Sequence, residues 1–147
     1  IEPLLARDDL SVSTLMIAIH NSSEMLDPDI CKVVVDNAGC ALYFTRAPIP
    51  YNRDFDYIEE TYSDTKIDSK EWILGFKHIG IYAYKKSFLP QFINMKVSKL
   101  ENSEKLEQLR ILENRYLIQL VETKQNSIGV DRPEDIDKVI KAMNGKN

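Results

Sequence analysis

Apolar and polar positions along the chain fall into short blocks, some with the twofold period of strands and some with the 3.6-residue period of helices. Ser13-Thr14-Leu15-Met16-Ile17-Ala18-Ile19 is a short apolar run rich in β-branched residues, which predicts a strand buried on both faces. Glu24 to Asp29, carrying Pro28, reads as a polar turn. Lys32-Val33-Val34-Val35-Asp36 and Ala41-Leu42-Tyr43-Phe44-Thr45 predict a hairpin around Asp36-Asn37-Ala38-Gly39, with the glycine supplying the positive φ of the bend. The prolines of Arg46-Ala47-Pro48-Ile49-Pro50 preclude a central ladder strand and keep that segment extended. Lys77-His78-Ile79-Gly80-Ile81-Tyr82-Ala83-Tyr84 predicts another strand, and Ser87 to Met95 a short helix. Ser98-Lys99-Leu100-Glu101 is a capping box announcing the longest helix, to about Arg115, with the stripe Leu106, Leu109, Leu112, Tyr116. Ile118 to Val121 reads as a strand. Pro133 then stands at the first helical position of a final helix whose stripe Ile136, Val139, Ile140, Met143 is expected to face the core, and Gly145 ends it. At the front, Pro3 to Arg7 is too short for a stable independent helix, and Ile1-Glu2-Pro3 reads as an entry into the middle of a fold. The order of elements indicates an α/β fold: a mixed sheet flanked by helices in one partial domain, 1–147.

Composition narrows the class. With 147 residues, 44% of them hydrophobic, the chain has the means to bury a substantial core. Its formal charge is -4, and residues 51–72, with seven acids against three bases, carry all of that excess. This acidic stretch also holds Tyr51, Phe55, Tyr57, Tyr62 and Trp72, more aromatic surface than a disordered linker usually carries, and reads as a loop insertion. No basic stripe suits phosphate contacts, so a nucleic-acid surface is not expected. No apolar run approaches the roughly 20 residues that span a bilayer. Pairing in the hairpin is expected to set Cys31 across from about Phe44, far from Cys40, so no disulfide is expected, and a soluble protein of the cytoplasm fits. With His20 and His78 far apart in sequence and no metal-ligand spacing, a structural zinc site is not expected either.

Four positions have the chemistry to hold a ligand, and a fifth to hold a metal. Arg46 directly follows a strand, where α/β folds place ligands, and its guanidinium fork suits a carboxylate or phosphate. A surface arginine paired with an acid of the neighbouring loop is the more ordinary role on spacing alone. Glu107 and Gln108, on the helix side away from the leucine stripe, have the acceptors and donors to grip sugar hydroxyls, or are simply solvated. His78 starts a strand that contains Gly80, whose missing side chain permits close approach of a backbone or a ligand; a satisfied structural histidine is the more ordinary role. Asp131, ahead of Pro133, is either an acid at a helix start or a hard ligand for Mg2+.

Four motifs in order resemble the second half of the 3-deoxy-D-manno-octulosonate (Kdo) cytidylyltransferases, also called CMP-Kdo synthetases. They are Lys32-Val33-Val34 with Ala41 to Pro50, His78 to Tyr84, Leu100-Glu101 with Leu106-Glu107-Gln108-Leu109-Arg110, and Gly129-Val130-Asp131-Arg132-Pro133-Glu134-Asp135. The resemblance implies a nucleotide-diphospho-sugar transferase-like fold, a homodimer with a hairpin contact, and the joining of CTP to Kdo with release of pyrophosphate, for lipopolysaccharide synthesis. It further implies that Arg46 holds the sugar acid, that His78, Tyr82, Glu107 and Gln108 line its pocket, and that Asp131 is the catalytic ligand for Mg2+. The family's first half, with its triphosphate loop and first metal-binding aspartate, has no counterpart in the sequence, so this stretch alone is not expected to catalyse. The span from Pro3 to Ser13 is shorter than the family's helix there. Arg132 stands where the family has Thr or Ser, losing a cap worth about 1 kcal/mol unless Asp131 supplies it. Two alternatives are a cytidylyltransferase for another sugar acid, such as sialic acid, and a non-catalytic module that docks a partner through the acidic loop.

Overall fold

The computed structural model describes residues 1–53, 73–125, 136 and 139–141. Within them one five-stranded mixed sheet has the order β3-β2-β4-β1-β5. β1 (Val12–Ile19) lies inside it, antiparallel to β4 (Gly75–Tyr84) and parallel to β5 (Ile118–Glu122). Val12, Ser13 and Thr14 are consecutively buried, which accounts for a run that is apolar or small throughout.

The hairpin forms as its pattern predicts, from β2 (Lys32–Val35) and β3 (Ala41–Thr45). Asp36 Oδ1 accepts the Ala38 and Cys40 amides, both at 2.8 Å, and Gly39 takes φ 77°. The register differs from expectation: Val33 pairs with Phe44, so Cys31 lies beyond the Lys32–Thr45 pair rather than opposite Phe44. A shift between Val34 and Val35 absorbs the difference. Both cysteines are free thiols, as expected. Gln119 of β5 donates to the Gly39 carbonyl at 2.9 Å, and Leu120 N donates to it at 2.8 Å, so the hairpin tip bends across to the opposite sheet edge.

Two expected elements differ. The segment read as a polar turn, Glu24 to Asp29, begins inside a helix, α2 (Ser22–Leu26), because Asn21 caps it by accepting Glu24 N at 2.9 Å. The long helix is two short ones, α4 (Lys99–Glu104) and α5 (Leu109–Glu113), separated where Lys105 adopts the left-handed conformation at φ 56°. The predicted capping box is present at Ser98 and Glu101. The break shifts the helical phase, so Ile111 joins Leu106 and Leu109 in the core while Leu112 is only partly buried. α1 (Glu2–Ala6) is a single turn held by Leu4, which packs with Leu10 and Cys40.

The main core lies on one sheet face, where Val12, Met16, Val33, Phe44, Ile118 and Leu120 pack with Phe88, Leu106, Leu109 and Ile111. Partly buried residues of α3 (Leu89–Asn94) close it. Residues 136 and 139–141 are helical, but Ile136 and Ile140 are half exposed, so the described part of the final stripe is not a core face. Asp131, Pro133, Met143 and Gly145 lie outside the described residues, as does the acidic segment from Asp54 to Trp72.

Candidate functional site

Strand alternation sets Phe76, His78, Gly80, Tyr82 and Tyr84 on one face of β4. Their rings form a file: Phe44 meets His78 edge-on at 5.1 Å, His78 lies 5.3 Å from Tyr82, and Tyr82 stacks on Tyr84 at 5.7 Å. The pairing of β1 with β4 is irregular between Ser13 and Leu15, and there Thr14 Oγ1 reaches the Ile79 and Ile81 carbonyls at 3.0 and 2.9 Å. The same hydroxyl lies 2.9 Å from His78 Nε2. Because the hydroxyl proton serves a carbonyl, the network assigns the His78 proton to Nε2 and leaves Nδ1 as an acceptor. Burial pushes His78 down to about 4, so the ring is neutral at pH 7. Burial, reinforced by Tyr84, Cys31 and Glu107, raises Tyr82, which stays a phenol.

Arg46 leaves β3 under tight control. Glu104 accepts its amide through Oε2 at 3.1 Å and the Thr45 hydroxyl through Oε1 at 2.6 Å, and the Glu104 carbonyl takes Arg46 Nε at 3.0 Å. Nη1 donates to the Pro28 carbonyl at 3.0 Å and, at the long limit of 3.5 Å, to that of Asp29. Two of the three guanidinium nitrogens are thus committed to main-chain carbonyls, and among the described residues Nη2 is the one left to offer a ligand. Among the described residues the carboxylate beside Arg46 is that of Glu104 in α4; the acids from Asp54 to Glu71 lie outside them.

The turn created by the helix break presents the other two expected residues. Gln108 is buried, with Nε2 donating to Cys31 Sγ at 3.7 Å, while Glu107 is exposed and its charge raises Tyr82 and Tyr84. Gln108 is therefore not the solvated helix residue that its spacing suggested. Cys31 is the hinge of the arrangement: its carbonyl accepts His78 N at 2.8 Å, its thiol contacts Gln108, and Arg46 lies close enough to act on it electrostatically. Burial pushes the thiol up to about 11, so it too stays neutral.

Arg46, His78, Tyr82, Glu107 and Gln108 are therefore gathered around Cys31. One fixed cation, one carboxylate and several neutral hydrogen-bonding groups suit a polyhydroxylated acid. No described atom lies within 4 Å of where a Gly80 side chain would begin, so no described backbone uses that approach. A cavity of about 550 Å³ lies alongside, lined by Ser13, Thr14, Tyr82, Ala83 and Val121 among others; of the expected residues only Tyr82 borders it. Among the described residues no group of three His, Cys, Asp or Glu side chains has the arrangement to hold a metal ion, and Asp131 lies outside them. Sequence reasoning missed Thr14, Cys31, Lys32 and Glu104. Of these only Glu104 left a signal, as an acid on the helix that follows a capping box.

A five-stranded mixed sheet flanked by helices is the class of fold that this geometry defines. A family model described as cytidylyltransferase matches residues 1–124, and the chain belongs to that family. A 3-deoxy-manno-octulosonate cytidylyltransferase of Geotalea daltonii is 46% identical over 145 residues, covering 97% of this chain and 55% of the relative. One of Solibacter usitatus is 44% identical over 137 residues, covering 93% and 49%. The solved structure of CMP:2-keto-3-deoxy-manno-octonic acid synthetase complexed with CTP superposes with a TM-score of 0.81 at 32% identity, over 99% of this chain and 54% of that one. The five-stranded mixed sheet matches that fold, and the chain spans about half the length of the curated relatives it matches. Among the described residues no helix is long and apolar enough to cross a membrane.

Proposed function

We propose that the full-length protein joins CTP to Kdo, giving CMP-Kdo and pyrophosphate, with these residues holding the sugar acid. The observation that carries this reading is the clamped Arg46 beside neutral His78, Tyr82 and Gln108, in a chain 46% identical to a 3-deoxy-manno-octulosonate cytidylyltransferase. Arg46 Nη2 binds the sugar carboxylate, and His78 Nδ1, the Tyr82 hydroxyl, Gln108 and Glu107 take the ring hydroxyls. The anomeric oxygen then attacks the α-phosphorus of CTP: an O–P bond forms, the bond to the β-phosphate oxygen breaks, pyrophosphate leaves, and the hydroxyl proton is released. Positioning and charge stabilisation account for most of such a rate enhancement.

Magnesium would neutralise the phosphates, with Asp131 contributing one carboxylate. We place the protein in the cytoplasm as a homodimer. The exposed Leu42 on edge strand β3 supports the hairpin as the contact.

The test is pyrophosphate release from CTP and Mg2+, with Kdo and sialic acid offered separately. Release with Kdo alone is expected. Release with sialic acid alone moves the protein to the related class of sugar-acid cytidylyltransferases, and release with neither overturns the assignment. Arg46→Ala should raise KM for Kdo by about a hundredfold, as expected on losing a charged hydrogen bond to a carboxylate, with little change for CTP. Equal effects on both substrates would count against the carboxylate role.

A further inference from the structure

We propose that Lys32 is a positioning residue for Arg46, acting through the loop that both cations grip. This deepens the sugar-acid reading above and rests on it. Lys32 is fully buried, and its ammonium donates to the Asp27 and Ile30 carbonyls, each at 2.7 Å. The two carbonyls between them, Pro28 and Asp29, face Arg46 Nη1. Four successive carbonyls are thus divided between two cations, one on each side of the loop. Asp27 Oδ1 accepts Asp29 N at 2.8 Å and shapes the turn between them.

Among the described residues Lys32 makes no salt bridge. A buried ammonium held only by main-chain oxygens is a costly way to close a loop. The arrangement makes sense if the conformation of that loop matters. With Nε held by the Glu104 carbonyl and Nη1 by the loop, the guanidinium plane is set before any ligand arrives, and Nη2 faces outward in one orientation. Binding then costs little ordering of a long side chain. Without Lys32, the Ile30 carbonyl loses its ammonium donor and the Asp27 carbonyl keeps only the Ile30 amide at 3.3 Å, so the loop relaxes and Arg46 regains rotamers that miss the carboxylate.

The test is a double-mutant cycle in the full-length protein, reading KM for Kdo and for CTP in Lys32→Met, Arg46→Ala and the combined variant. Lys32→Met should raise KM for Kdo about tenfold and that for CTP less than about twofold, and it should add nothing in the Arg46→Ala background. A rise of equal size in both backgrounds marks a general structural role and overturns the inference, as does no rise at all. An unchanged KM for Kdo in Arg46→Ala alone overturns the sugar-acid reading itself, and the inference with it. If Lys32→Met does not fold, Asp27→Ala loosens the same loop from its surface side and must give the same coupled rise; an additive effect there rejects the proposal.

Discussion

Replacing Glu101 by Gln isolates the ion pair that joins α4 to α5. Glu101 receives Arg110 Nε at 2.6 Å and a second bond from Nη2, and it also accepts Ser98 N as the far half of the capping box. Gln keeps an acceptor for Ser98, so the cap is largely preserved and the charge is removed. The two side chains are 11% and 14% exposed, close to the buried limit, where losing one partner costs roughly 3–5 kcal/mol; an exposed pair is worth at most about 1. One retained neutral hydrogen bond reduces the loss, and about 2–3 kcal/mol is expected. Urea unfolding reads this as a fall in midpoint of about 1 M for a typical slope of about 2 kcal/mol/M. The acid limb supplies a second check. The Arg110 hydrogen bond holds the Glu101 carboxyl below the usual range, so its contribution is complete above the unfolded value of about 4.3 and disappears as pH falls through the folded value. Wild type and variant should therefore converge in strong acid. A midpoint change below about 0.3 M, or a difference that persists unchanged at pH 2, would refute the reasoning.

Two further outcomes follow from local geometry, and a third from the proposed Mg2+ role of Asp131. Gly80→Val adds a strand-favouring side chain where no atom stands within 4 Å; it should leave thermal stability within about 0.5 kcal/mol while raising KM for Kdo, and an unchanged KM would remove the space above Gly80 from the site. Gly75→Ala would set a methyl 2.6 Å from Met25 Cε and 2.9 Å from the Ile49 carbonyl, so a destabilisation of about 1–3 kcal/mol is expected in a melting experiment. Asp131→Asn should abolish Mg2+-dependent turnover with circular dichroism unchanged; wild-type rates in that variant would take Asp131 out of the reaction.

The strands and the hairpin were legible because their information is local: β-branched runs, a turn of the right length and one glycine at positive φ. The capping box was equally plain, but the end of its helix was not. Lys105 is an ordinary helix former, and its left-handed conformation follows from the need to bury Leu106 and Leu109 together with Ile111, a demand set by the sheet beneath. α2 was missed by giving weight to Pro28 over Asn21, although Asn is among the strongest caps. The candidate site residues were named through motifs, whereas the groups that hold them were not. The partners of Arg46 and Lys32 are mostly main-chain carbonyls, which every residue type possesses and no pattern advertises.

That dependence on the main chain bears on how selective the site can be. His78, Tyr82 and Cys31 are all held neutral at pH 7, so the charge that the site presents comes from Arg46 and Glu107, with Glu104 committed behind. A single outward nitrogen on a fixed guanidinium recognises one anionic oxygen in one place. It does not grip a carboxylate by both oxygens, so the second oxygen and the hydroxyls must find the neutral donors and acceptors around it. Under the proposed function, discrimination between sugar acids would rest on where those neutral groups stand relative to Nη2, and their placement depends on the break at Lys105 that turns Gln108 toward Cys31. Straightening that helix would preserve the charge of every residue and still dismantle the recognition.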